Sequence, residues 1–299
     1  MIKLGTKRDI ISALRERGIH LKKSLGQNFL IDGNLLDFIV RNAELVQSDL
    51  VLEIGAGSGL LTRRMAEAAG HVVAVEIDEA VAALLREHTE DLDNVTLLVC
   101  DALESKSALN PALLDAVAGA LALPGIRRLK CVANLPYAVS TIVIPLLLQG
   151  PLSADLMVFT VQREVADRLA ARPGVKDYGA LSVIVQASAR IEVLRTLGRK
   201  VFFPEPKVDS AIVRLEPTDE VLRHIRDYGT FAALTHALFQ HRRKKAAGSL
   251  ALSERFGASR DRLAAALAAA DIRDDARADQ LSVIQIVRLA NEFGPENTP

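Results

Sequence analysis

Residues 50–69 read LVLEIGAGSGLLTRRMAEAA. An apolar run ends at Ile54, glycines stand at positions 55, 57 and 59, and a helix-periodic stretch follows. This pattern specifies a strand, a tight loop and a helix. Alternate glycines let the backbone turn sharply and let a ligand lie against it. Gly70 closes the stretch and is expected to cap the helix. The next apolar run, 71–77, carries Glu76 near its end, with Asp78 just beyond. A helix over 79–90 leads to a third strand, 95–100, closed by Asp101 and Ala102. Such strand–helix alternation predicts an α/β fold with a doubly wound, Rossmann-like sheet of parallel strands.

On the amino-terminal side, helices are expected over 10–17 and 34–43, separated by a loop at 22–30 (KKSLGQNFL). On the carboxyl side, a fourth strand at 129–133 runs into Asn134-Leu135-Pro136-Tyr137 and a helix that Ser140 is placed to cap. Strands are expected at 156–161, 191–197 and 210–215, and helices at 163–171 and 178–189. Residues 202–207 (FFPEPK) read as an extended loop, and the Ala/Leu-rich stretch 105–123 as one or two helices. Glu216-Pro217-Thr218 marks a domain boundary, beyond which no strand pattern occurs. Helices are expected near 220–228, 230–241, 260–270 and 282–293. The organisation is thus an α/β domain over 1–217 and a smaller all-helical domain over 218–299.

Composition bounds the function. No apolar run reaches the ~18–20 residues that would span a membrane, and no signal peptide opens the chain, so a cytoplasmic location is expected. Cys100 and Cys131 both lie in apolar strand-like runs and read as small buried hydrophobes. The histidines form no ligand-spaced cluster, so no metal is expected. Formal net charge is zero, which argues weakly against a nucleic-acid partner, but the distribution is uneven. Lys3, Lys7, Arg8, Arg15, Arg17, Lys22 and Lys23 face only Asp9 and Glu16 in the opening 25 residues, and Arg242-Arg243-Lys244-Lys245 forms a second cluster. Either run reads equally as a solvated face.

Three features outline a nucleoside pocket. Glu76, 21 residues beyond Gly55, can accept hydrogen bonds from both ribose hydroxyls. The loop reads GxGxG and not the GxGxxG of dinucleotide binders, which favours S-adenosylmethionine (SAM) over NAD. Asp101 could accept from an adenine amino group or merely cap a helix. Asn134–Tyr137 stands at the carboxyl end of a strand, where such sheets bind ligands. Asn134 offers an amide oxygen there. Pro136 biases Leu135 toward extended backbone, which frees its carbonyl, and Tyr137 offers a flat face. Two acceptors and a ring suit an exocyclic amino group on a planar base. A plain strand-to-helix turn is the alternative.

Gly26–Leu30 (GQNFL), residues 53–59, residues 75–78, Asp101-Ala102, Asn134–Tyr137 and Phe202–Ser210 (FFPEPKVDS) occur in one order. Together they resemble the ribosomal RNA adenine N6-dimethyltransferases, most of all the bacterial small-subunit branch, from about Lys22 to about Asn291. The resemblance implies that Asn28, Leu30 and Gly55 lie along the methionine part of SAM, with Glu76 on the ribose and Asp101 on the adenine. It places Asn134 where SAM and the target adenine meet, with Tyr137 and Phe202 sandwiching the flipped base. Phe203 is the adjacent alternative ring. It also implies dimethylation of two adjacent adenosines near the 3′ end of 16S rRNA within an immature small ribosomal subunit, by a monomer. The basic segments would then grip phosphates. Two departures stand out. Lys245-Ala246-Ala247-Gly248 replaces a Thr-Leu-polar continuation, and the 105–123 stretch is longer than usual. The rival readings are the large-subunit dimethyltransferase of macrolide resistance and an assembly factor holding SAM as a structural ligand. An NAD-dependent enzyme is more distant.

Overall fold

The computed structural model describes residues 4, 7–22, 25–152 and 154–294. Lys3 and Lys23, two members of the basic opening segment, lie outside the described residues.

Helix α1 (Lys7–Glu16) precedes a two-residue strand β1 (Phe29–Leu30) and α2 (Gly33–Asn42). Then β2 (Asp49–Ile54), α3 (Leu60–Ala68), β3 (His71–Glu76), α4 (Glu79–His88) and β4 (Val95–Val99) alternate as the periodicity predicts. A hairpin of β5 (Leu103–Ser105) and β6 (Ala108–Leu109) leads into α5 (Pro111–Leu121). The sheet resumes with β7 (Arg128–Asn134), α6 (Ser140–Gln149), β8 (Leu156–Gln162), α7 (Arg163–Leu169), α8 (Ala180–Gln186) and β9 (Ala189–Leu197). The short β10 (Phe202–Phe203) and long β11 (Ser210–Pro217) follow. Helices α9 (Tyr228–Gln240), α10 (Ala246–Leu250), α11 (Arg260–Ala269) and α12 (Val283–Asn291) complete the chain.

The seven-stranded sheet has the order β4-β3-β2-β7-β8-β11-β9. Pairs β3–β4, β2–β3, β2–β7 and β7–β8 are parallel, while β11 runs antiparallel to β8. The sheet is therefore mostly, not wholly, parallel. Every residue of β2 is buried, as a central parallel strand covered on both faces requires. Helix α2 closes one face with Leu35, Leu36 and Ile39; each such side chain taken out of water contributes about 1.5–3 kcal/mol. From β2 the chain proceeds to β3 and β4 on one side, and returns through β7 and β8 on the other. The crevice for a ligand thus falls where β2 and β7 leave the sheet side by side.

Several local expectations are corrected. Gly70 is not a left-handed cap. A Cβ there would lie 2.2 Å from the Gln47 carbonyl oxygen, so its role is close backbone approach. Ser140 is the first residue of α6, and its hydroxyl donates to the Tyr137 carbonyl. Residues 105–123 form part of a hairpin before one helix, which Asn110 caps and Pro111 opens. Residues 202–207 are not entirely loop, because β10 pairs antiparallel with β1, Phe203 opposite Phe29 and Phe202 opposite Leu30. Residues 220–227 hold only a 3₁₀ turn, Leu222–His224, and Tyr228 already belongs to α9. Asp227 accepts from the Thr230 N–H and so starts α9, which a residue inside an earlier helix could not do.

The chain divides into two compact units. One runs to Ala166 and resumes over Glu192–Pro217; the other holds Asp167–Ile191 together with the chain from Thr218. The expected break at 217 is therefore only one of the boundaries. The physical reason is Tyr178, which is fully buried within the helical unit beside Val183, Phe231 and Leu234. Its hydroxyl donates to the Leu281 carbonyl at 2.8 Å, and its ring meets Phe239 edge-on.

Gly70→Ala should lower the urea-unfolding free energy by about 1–3 kcal/mol, since the Gln47 backbone must move. A denaturation midpoint equal to that of the parent would show that this turn tolerates a side chain.

Candidate active site

The glycine loop touches both other motif stretches. Gly55 has φ +77, and a Cβ there would lie 2.7 Å from Pro136 Cγ. Gly57 has φ +58, and a Cβ there would lie 2.9 Å from the Phe29 ring. Glu76 fixes the loop from the next strand: its Oε2 accepts from the Gly57 N–H at 2.9 Å and its Oε1 from the Asp78 N–H at 2.9 Å. Burial pushes the Glu76 carboxyl above the usual carboxylate range, against those two hydrogen bonds. Glu53, a strand away, is fully buried, and its Oε2 accepts from the Thr62 hydroxyl at 2.5 Å. Burial pushes Glu53 up to about 8, with Glu76 adding repulsion.

Beside the loop lies a cavity of about 260 Å³. Asn28, Gly55, Glu76, Asp101, Asn134 and Pro136 all line it. Four other predicted residues do not. Leu30 is buried in the core, its backbone paired with Phe202. Leu135 is buried, and its N–H donates to the Thr160 carbonyl. Tyr137 is half-buried next to the cavity, its hydroxyl 2.5 Å from Ser210 Oγ. Phe202 is completely buried in the same core as Leu30, so its face is closed to a base in this conformation. The half-exposed ring is Phe203, with Lys7 Nζ 5.7 Å from its centroid.

Asn134 has the most informative surroundings. Its Nδ2 donates to the Asn28 carbonyl at 2.8 Å, which fixes which way the amide faces. Its Oδ1 is buried and has no hydrogen-bond partner. A buried acceptor left open at a cavity is costly and calls for a ligand donor. Asp101 is exposed, and its Oδ1 accepts from the Leu103 N–H, making a turn rather than a helix cap. Its other oxygen carries no role in that turn. Ile77, which belongs to the 75–78 motif but carries no role expected from the sequence, also lines the cavity and keeps 44 % of its surface exposed. An apolar residue directly after a strand-end carboxylate is the signal that could have found it, since it can cover the face of a bound base.

The family model "Ribosomal RNA adenine dimethylase" matches residues 18–294. The chain belongs to the ribosomal RNA adenine dimethylase family. Two relatives named ribosomal RNA small subunit methyltransferase A illustrate the similarity. That of Pelotomaculum thermopropionicum is 39 % identical over 98 % of both chains. That of Lactiplantibacillus plantarum is 40 % identical over 92 % of this chain and 90 % of its own. Among solved structures, 23S rRNA methyltransferase ErmE superposes with a TM-score of 0.62 at 27 % identity, covering 89 % of this chain and 99 % of its own. A dimethyladenosine transferase from Plasmodium falciparum shares the fold, with a TM-score of 0.70 at 24 % identity, covering 89 % of this chain and 97 % of its own.

The dimethylase's basic segments are partly engaged by its own acids. Arg17 pairs with Glu87 at 2.6 Å and Lys22 with Asp78 at 2.9 Å. Arg242 donates to the Val175 carbonyl and lies 3.7 Å from Asp279. Arg8, Arg15, Arg243, Lys244 and Lys245 are exposed. Among the described residues, no group of three or more His, Cys, Asp or Glu could hold a metal ion, and no helix is long and apolar enough to cross a membrane. Cys131 is buried and Cys100 half-buried at the cavity wall; both are free.

The raised Glu53 has a consequence for stability. With its folded-state value at about 8, above an ordinary 4.5, the folded form holds a proton that the unfolded chain releases. That contribution is complete below about pH 4.5 and is lost as pH rises through about 8. Glu53→Gln keeps an acceptor for Thr62 without the titration. Its unfolding free energy relative to the parent should therefore rise between pH 5 and pH 9. A pH-independent difference in urea titrations would show that Glu53 is ionised in the folded protein.

Proposed function

We propose that this protein is the SAM-dependent dimethyltransferase that converts two adjacent adenosines near the 3′ end of 16S rRNA to N6,N6-dimethyladenosine, acting on an assembling small subunit. The observation that carries the catalytic part is the buried, unpartnered Oδ1 of Asn134 at the cavity edge. The small-subunit assignment is supported by relatives of that name at 39 % and 40 % identity, against 27 % for the large-subunit enzyme's structure.

The residues lining the cavity fit SAM. Gly55 and Gly57 line the cavity, Glu76 is a buried acceptor for ribose hydroxyls, and Ile77 supplies an apolar cover. Asp101, with an oxygen beyond its turn, is the acceptor we assign to the cofactor's amino group. Asn28 lies beside Asn134 at the other end. When bound, SAM supplies a methyl group already activated by its positive sulfur.

What the chain must do is prepare the nucleophile. Adenine N6 has a lone pair delocalised into the ring. Asn134 Oδ1 and the Leu135 carbonyl accept its hydrogens and favour a pyramidal nitrogen whose lone pair faces the methyl. Because Asn134 Nδ2 is held by the Asn28 carbonyl, Oδ1 needs no reorientation at the moment of reaction. The methylated ammonium is strongly acidic, so its proton leaves to water without a dedicated base. Tyr137, held by Ser210, offers one face to the extruded base; base–aromatic stacking contributes about 1–3 kcal/mol per base. We assign the second face to the Phe202-Phe203 pair, in which only Phe203 is reachable without rearrangement. Exposed Arg8, Arg15 and Arg243–Lys245 serve RNA phosphates.

Asn134→Ala should lower methylation of immature small subunits about 100-fold or more, by analogy with removing one positioned polar partner. SAM affinity by calorimetry should stay within a few-fold. Undiminished N6,N6-dimethyladenosine in nucleoside analysis would remove Asn134 from the chemistry. In parallel, Phe203→Ala should reduce kcat/KM for RNA with stability retained. Phe202→Ala should first cost stability, about 3–5 kcal/mol for a buried ring. An unaffected kcat/KM in Phe203→Ala, with loss in Phe202→Ala beyond its unfolding, would hand the stacking role to Phe202.

A further inference from the structure

One wall of the cavity comes from residues 25–29, which contain little regular structure beyond the start of β1. A wall of this kind binds well only if something fixes it beforehand, because ordering it on ligand binding opposes affinity. The Lys22 N–H donates to Gln27 Oε1 at 2.6 Å, and the Leu25 N–H donates to the Lys22 carbonyl at 3.1 Å. Those bonds close the turn on itself, while its far end is held by Asn134 Nδ2 on the Asn28 carbonyl and by the pairing of Phe29 with Phe203. The attachment of its near end, to the end of β3, is Asp78. Its Oδ2 accepts from Lys22 Nζ at 2.9 Å and from Gln27 Nε2 at 3.3 Å.

Asp78 is well placed for this. Its N–H donates to Glu76 Oε1, and its Oδ1 caps α4 by accepting from the Ala80 N–H. The same residue therefore holds the strand-end carboxylate, the next helix and the amino-terminal wall. Its side chain is 4 % exposed, whereas that of Lys22 is 59 % exposed. Burial pushes the Asp78 carboxyl up, but the contacts from Lys22 and Gln27 outweigh it and hold it below the usual range. Neither Lys22 nor Asp78 lines the cavity.

We propose that Asp78 is a positioning residue for cofactor binding: through its ion pair with Lys22 and its bond to Gln27 it latches the 25–29 wall against the end of β3. SAM affinity then depends on two residues that do not touch SAM. This rests on reading the cavity as the SAM site. It also assigns Lys22 to the cofactor side of the reaction and not to RNA phosphates.

The test is calorimetric SAM titration of the full chain, together with steady-state methylation. Lys22→Met leaves a buried carboxylate without its counter-ion and should weaken SAM binding about 3–10-fold. Turnover at saturating SAM should stay within twofold, so the effect falls on KM for SAM. Lys22→Arg should restore affinity. Asp78→Asn retains an oxygen for the α4 cap but loses the charge, and should weaken SAM binding to a similar degree. The double variant should be no worse than either single one, as expected for residues acting through one contact. Wild-type affinity should also fall between 50 and 500 mM salt by screening of the half-exposed pair, and that dependence should be reduced in Lys22→Met. Single variants with wild-type SAM affinity and wild-type salt dependence would overturn the latch. So would a rise confined to KM for RNA, which would return Lys22 to phosphate contact. Failure of the wild-type chain to bind SAM at all would instead overturn the cofactor reading beneath it.

Discussion

The missing side chain at Gly55 is the constraint on which the site depends. Strands β2 and β7 are parallel neighbours, so the loops leaving them emerge side by side. Any Cβ at Gly55 would stand 2.7–2.8 Å from the Pro136 ring. Bare backbone alone lets the first loop lie against the second. That contact sets Pro136, and with it Asn134, along the cavity that Gly57 and Glu76 also shape. Gly57 repeats the device against the Phe29 ring. The amino-terminal stretch, the glycine loop and the Asn-Leu-Pro-Tyr turn are thereby packed into one wall, although Asn28 and Asn134 stand 106 residues apart in the chain.

Burial then sorts the acids. Glu53 and Glu76 end neighbouring parallel strands and repel each other. They differ in what they are given. Glu76 receives two backbone N–H groups, while Glu53 receives one hydroxyl. Burial raises Glu53 to about 8, with the repulsion from Glu76 a smaller addition. Burial also raises Glu76, but there two backbone N–H groups oppose it. Of the two, Glu76 lines the cavity and is the one suited to accept ribose hydroxyls.

Much of this was legible in the sequence because it is carried by local grammar. The alternation of apolar runs with helical periods places β2, α3, β3, α4 and β4 almost to the residue, and Gly55, Glu76, Asp101 and Asn134 fall at strand ends by position alone. What was hidden is what depends on distant partners. Gly70 looks like a cap, yet Gln47 across the turn decides its role. Leu30 and Phe202 read as site residues from their motifs; that they pair across a two-stranded sheet with both side chains in the core is set by partners about 170 residues apart. The helical unit claims residues 167–191 through the burial of Tyr178, which no local pattern announces. Lys22 reads as one basic residue among several until Asp78 is seen to bind it.

A site that methylates the same nitrogen twice faces a problem of hydrogen-bond supply. In the proposed mechanism the starting amino group offers one hydrogen to each of two acceptors, but after the first transfer only one N–H remains. One acceptor must then stand bare beside an added methyl. In most enzymes an unpaired buried acceptor would disfavour that second complex by about 1–3 kcal/mol. On the proposed assignment Asn134 Oδ1 is one of those acceptors; it is buried and accepts no hydrogen bond from the protein, and its amide is held by the Asn28 carbonyl. The fold does not depend on a donor at Oδ1, so losing one N–H breaks no contact that holds the protein together. Tolerance of the monomethylated base then reduces to space beside N6, which a neutral amide fixed from behind leaves open more readily than a mobile charged group would.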